Sequence, residues 1–129
     1  TKSTVLVLVP LLLAALFTGA GTVLLDLSFN FANVIALPLI LGIGIDCSVH
    51  MVHRSRNTGE AYENLLHTST ARAIFYSALT TMAGFGSLIF SQHQGTASMG
   101  LLLLIGVVLT LVCVLIILPV LLHAVERRQ

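Results

Sequence analysis

AIFYSALTTMAGFGSLIFSQHQGTASMGLLLLIGVVLTLVCVLIILPVLLHAV (Ala73–Val125) is a run of 53 residues without one Asp, Glu, Lys or Arg. A membrane-spanning helix needs about 20 mostly apolar residues, so this run holds two. The polar SQHQGTAS (Ser91–Ser98) breaks it near the middle and is the place for a turn. Upstream, Thr4 to Leu25 is uncharged and ends at Asp26. Leu27 to Ile45 is uncharged again, and its apolar pattern continues past Asp46 to about Val52. The pattern predicts an all-α, polytopic membrane bundle of four helices, at about 4–25, 31–53, 73–91 and 98–122.

Composition agrees. Of the 129 residues, 57% are hydrophobic and 9% charged, with a mean hydropathy of +1.03. A soluble domain carries about 25% charged residues, so a soluble fold is excluded, and disorder with it. Six Lys and Arg against five Asp and Glu give a net charge of +1, which leaves no basic patch for a nucleic acid. Cys47 and Cys113 each sit inside an apolar run, far apart, without metal-type spacing. They read as buried, inert thiols.

Orientation follows from the basic residues, which collect on the cytoplasmic side of membrane proteins. Lys2 precedes the first helix, Arg54, Arg56 and Arg72 lie between the second and third, and Arg127 and Arg128 follow the fourth. Four spans put all of them on one side. Both termini and the connecting segment 54–72 are therefore expected in the cytoplasm. Ala61, Leu65 and Leu66 share a helical face, so part of that segment is expected along the interface. Lys2 followed by an apolar run also has the look of a signal peptide, with small residues at Ala15 and Gly19–Gly21. The run is longer than a usual signal core, and three more spans follow, so a retained span is the better reading.

Asp46 is the residue that points to chemistry. It lies past the middle of the second helix, in LILGIGIDCSVHMVHR (Leu39–Arg54). A carboxylate at the centre of a membrane helix costs about 2.5–3.5 kcal/mol on insertion scales and by default marks a function. Desolvation penalises its charged form, and a carboxyl that can hold or lose its proton there is what a proton carrier needs. The alternative is a structural carboxylate that is always paired. Gly42, His50 and His53 share the helical face of Asp46. Asp46, His50 and His53 have the spacing of three metal ligands on one helix. No further acidic residue or Cys inside a span completes such a site, so no metal is expected. His50 is a neighbour able to tune or hydrate Asp46, and His53 reads as a histidine at the membrane surface.

The third helix carries a polar stripe of Ser77, Thr80, Thr81, Gly84, Ser87 and Ser91. Such residues commonly join helices in membranes. Ser77 stands apart by depth: at about 1.5 Å per residue it is nearly level with Asp46, both toward the cytoplasmic side. A hydroxyl there can donate to one state of a carboxyl and accept from the other. Gly42 and Gly44, with Gly84 and Gly86, are expected to allow close backbone approach. Pro38 can kink the second helix. Gly100, Gly106 and Pro119 punctuate the fourth, where Thr110 and Cys113 read as packing residues.

Three pieces together resemble the resistance–nodulation–division (RND) transporter superfamily, in its MMPL-like branch of lipid exporters. GIGIDCSVHMVHRSR (Gly42–Arg56) looks like that family's helix with an intramembrane Asp. RAIFYSALTTMAGFGSLIFS (Arg72–Ser91) resembles its next helix, with ALTT-x-x-GF. SMGLLLLIGVVLTLVCVLIILPVLL (Ser98–Leu122) resembles its last helix, ending in Leu-Pro. The family has two homologous halves, each of six spans with a periplasmic domain. The resemblance implies that this chain covers the last four spans of one half, the charged VERRQ suggesting the second. It implies an inner-membrane exporter driven by the proton-motive force, not an enzyme, with no cofactor. The implied partners are membrane lipids, protons, a lipid or other hydrophobic substrate, and the remaining helices and periplasmic domains. The family's protonation residue maps to Asp46 and the hydroxyl of its next helix to Ser77. Many lipid-exporting members have Tyr after the Asp, where this chain has Cys47. The stretches ANVIALPLILGIGID and GFGSLIFSQHQGTASMGLLLLI are similar to the hopanoid-transporter members. A sterol-sensing-type lipid-binding module, or a structural membrane subunit, are the rival readings.

Overall fold

A computed structural model of the chain describes residues 2–26, 31–58 and 67–126. Its elements are α1 (Lys2–Leu24), α2 (Phe31–Thr58), α3 (Ser69–Ser87) with a short 3-10 turn (Leu88–Phe90), and α4 (Gln94–Val112). A π-helical turn (Cys113–Ile117) joins α4 to α5 (Leu118–Glu126) in one continuous rod. No strand occurs among the described residues. Among the described residues, four stretches are long and apolar enough to cross a membrane: Thr4–Leu24, Asn33–Asn57, Ser69–Phe90 and Gln94–Val125. The fold is the all-α, four-span membrane bundle that hydropathy predicts. The expected interfacial residues Ala61, Leu65 and Leu66 lie outside the described residues.

Helix ends do not coincide with the limits of the apolar runs. The third helix starts at Ser69, ahead of the expected 73, because the Thr68 hydroxyl accepts from the Ala71 amide at 3.2 Å. That satisfies one of the donors a helix start leaves open. α2 runs on to Thr58 because nothing from Arg54 to Asn57 breaks it. α1 stops where Asp26 takes a left-handed backbone, φ 49°, a conformation Asp tolerates better than most residues. The π turn lies just ahead of Pro119. A proline lacks the N–H for its helical bond, and its ring crowds the carbonyl four residues back, here that of Leu115. Widening the turn relieves that crowding.

α4 packs against the other three helices and is the axis of the bundle. Its glycines make this possible. A Cβ on Gly106 would overlap Ile40 of α2, and one on Gly100 would lie 2.7 Å from Leu88 Cβ and 2.9 Å from the Phe85 carbonyl oxygen. Between lipid-soluble helices there is little hydrophobic drive to associate, so close packing of small residues carries much of the contact. Two apolar clusters result. Met51, Ile74, Val114 and Leu118 centre one at the end where α2 finishes and α3 begins. Ala36, Ile40, Leu102 and Leu103 form the other, toward the opposite end. At that opposite end Asn33, only 2% exposed, donates to the Ser98 hydroxyl at 3.1 Å and ties α2 to α4.

Candidate functional site

Asp46 stands on the outward ridge of α2 and forms one wall of an open groove of about 480 Å³ between α2 and α3. Cys47 and His50 share its wall, and Ser69, Thr70 and Ser77 stand opposite. The helical period does this: on α2, residues 46 and 50 are one turn apart, and on α3, residues 70 and 77 are two. His50 Nε2 lies 3.3 Å from Asp46 Oδ1. Both side chains are open, 66% exposed for His50 and 76% for Asp46. The groove therefore combines a carboxyl, an imidazole and hydroxyl groups with room for water among them. That set can accept, hold and hand on a proton, and can solvate either charge state of the carboxyl.

The rest of the α3 stripe behaves differently. The Thr80 and Thr81 hydroxyls donate to the Ser77 carbonyl at 2.8 and 2.9 Å, and Ser87 donates to the Gly84 carbonyl at 2.6 Å. Each satisfies itself on its own helix. Only Ser77 of the stripe lines the Asp46 groove. His53 turns aside too. Its Nε2 accepts a 2.9 Å hydrogen bond from the Asn57 side-chain amide, and it lines a separate groove between α1 and α2. No three metal-binding side chains cluster among the described residues.

The glycines divide by face. Gly44 is at a tight crossing, where a Cβ would overlap Leu11 and lie 2.9 Å from Thr110 Cγ2. Gly42 and Gly84 have nothing within 4 Å, and Gly86 only Leu104 at 4.0 Å. The close approach expected of Gly42, Gly84 and Gly86 is thus made instead by Gly100 and Gly106. Sequence spacing cannot say which face of α2 or α3 meets α4, and within this segment Gly44 is the member of the two pairs at a tight crossing. The partly buried Asn33–Ser98 bond was also missed. An Asn near the start of an apolar run was the available signal.

The family model for MMPL matches residues 1–129, the whole chain. The chain belongs to the MMPL family. This MMPL segment is 49% identical over 116 residues to a hopanoid transporter, HpnN, of Rhodopseudomonas palustris, covering 90% of the chain. It is 46% identical over 116 residues to the HpnN hopanoid transporter of Burkholderia multivorans, covering 88% of the chain. A putative membrane protein of Methanocaldococcus jannaschii is 32% identical over 132 residues, covering 98% of the chain and 34% of that protein. The segment spans 13% of the length of each hopanoid transporter. Four apolar spans and the two bacterial hopanoid-transporter relatives make it a multi-pass protein of the bacterial inner membrane.

Proposed function

We propose that this MMPL segment is the proton-handling part of an exporter of hydrophobic molecules, driven by the proton-motive force. Asp46 carries the proton, Ser77 and His50 serve it, and the cargo is a lipid of the hopanoid class. The cargo is taken from the two named relatives. The observation that carries the mechanism is the groove itself, with Asp46, His50 and Ser77 on facing walls in the membrane-spanning part of α2 and α3.

Protonated, the Asp46 carboxyl is neutral and donates one hydrogen bond. Deprotonated, it needs donors, and the imidazole, the Ser77 hydroxyl and groove water supply them. A bare carboxylate against lipid is too costly to persist. The outward ridge of α2 therefore faces protein or water in the full transporter, which comprises its remaining helices and periplasmic domains. Loss or gain of the charge then biases how α2 and α3 sit against those neighbours. One charge moved through 100 mV is worth about 2.3 kcal/mol, which shifts a two-state equilibrium roughly fiftyfold. On this reading the segment performs no catalysis.

The test is made in the full-length transporter in proteoliposomes, following proton uptake and lipid export from pH about 5.5 to 8, where an imidazole changes charge. Asp46→Asn keeps the shape and removes the titration, so it should abolish both activities while leaving the protein inserted. Ser77→Ala should slow transport less, since water can replace one neutral hydroxyl. His50→Ala should mainly displace the pH profile. Normal export by Asp46→Asn would remove the proton-carrier reading and favour a lipid-binding or structural module.

A further inference from the structure

Two hydroxyls in the interior of the bundle take no part in that mechanism. Ser48 of α2 is fully buried, and Thr110 of α4 is 3% exposed. Neither hydroxyl oxygen has a hydrogen-bond partner among the described residues. Elsewhere in the segment the habit is different. Thr18, Thr22, Thr80, Thr81 and Ser87 each donate to a carbonyl of their own helix, a common way for a hydroxyl to be satisfied in a membrane helix. Leaving one unpaired away from water is costly. Two such hydroxyls on adjoining helices point to a shared guest.

Position decides which guest fits. Asn33 bonds Ser98, Ile40 lies against Gly106, and Gly44 lies against Thr110. The partners rise together, so α2 and α4 run parallel at a nearly constant offset of 65 or 66 residues. Ser48 is one turn past Gly44 on the same face, and so one turn past Thr110 along the seam. That step is roughly 6 Å at 1.5 Å per residue. A direct bond between two hydroxyls spans about 2.8 Å and falls short. One water reaches about 2.8 Å to each side, roughly 5.5 Å in all. Thr110 is also held in its pose. Its methyl sits over Gly44, where a Cβ would be 2.9 Å away. Turning about χ1 to reach its own helix would swing that methyl off the glycine.

We propose that the α2–α4 seam binds one water molecule between Ser48 Oγ and Thr110 Oγ1, and that this water ties the two helices together. Each hydroxyl can donate and accept, which supplies the polar partners that a buried water needs. Both oxygens are closed off within this segment, so no other part of the transporter reaches them. Ser48 lies about 200° around α2 from Asp46, so the site owes nothing to the Asp46 groove.

The experiment uses the full-length transporter, through a density map that resolves ordered water and a double-mutant cycle on unfolding in mixed micelles. The map should show one peak about 2.8 Å from both oxygens. Thr110→Val keeps the side-chain shape without the hydroxyl and should remove the peak, while Thr110→Ser should keep it. Ser48→Ala and Thr110→Val should be subadditive, because the second loss matters little once the water has gone. The coupling should be about threefold in the unfolding equilibrium constant, the worth of an average hydrogen bond between membrane helices. Two hydroxyls bonded directly to each other, or each turned onto its own helix with no peak between them, would overturn the proposal. So would a cycle that shows no coupling. The map of the parent protein decides by itself where a variant fails to fold.

Discussion

Gly100→Ala isolates what holds the α3–α4 hairpin together. The added Cβ would lie 2.7 Å from Leu88 Cβ, 2.9 Å from the Phe85 carbonyl oxygen and 3.2 Å from the Ile89 nitrogen. These atoms belong to or are fixed on the backbone, so no rotamer change relieves them. Carbon atoms rest about 3.5 Å apart or more, so the 3-10 turn must retreat by roughly 0.8 Å from α4. Overpacking of this kind costs about 1–3 kcal/mol, and a rigid neighbour puts Gly100 toward the upper end. Alanine returns about 1 kcal/mol of helix propensity. The net expectation is a loss of about 1–2 kcal/mol. Gly84→Ala on the facing helix meets nothing within 4 Å and should gain up to about 1 kcal/mol from the same propensity. The assay is reversible unfolding of the purified full-length transporter in mixed micelles, comparing the two variants with the parent. A Gly100→Ala protein as stable as Gly84→Ala would refute the packing argument. A destabilised Gly84→Ala would show that another part of the transporter covers that face.

Asn33→Ala and Ser98→Ala should be coupled, because their side chains bond to each other in a partly buried position. A double-mutant cycle on unfolding should give about 0.6 kcal/mol, the mean for hydrogen bonds between membrane helices; a cycle closing at zero would show the bond to be absent. Orientation is open to cysteine labelling of intact cells after Cys47 and Cys113 are replaced. An impermeant reagent should reach cysteines placed at positions 28 and 94 and fail at 56 and 128, and the reverse pattern would invert the assigned topology.

The four-span architecture was legible in the sequence because the bilayer imposes a length and a polarity on each span. A 53-residue uncharged run with a polar break has few other folds available. Asp46 was equally legible, since an acid inside such a span is costly wherever the helix packs. The level of Ser77 with it came from helical rise alone, and the groove that both line adds the lateral placement that rise cannot give. Rotation about each helix axis was decided only by tertiary structure. A hydrophobic helix is apolar all round, so no stripe in α1 or α4 tells lipid from protein. Contact between helices went instead to the positions where the surfaces fit most closely. That selected Gly44, Gly100 and Gly106 over Gly42 and Gly84, and it joined Asn33 to Ser98 across 65 residues of sequence. It also turned His53 from the Asp46 groove into the α1–α2 groove, although both lie on the same ridge of α2.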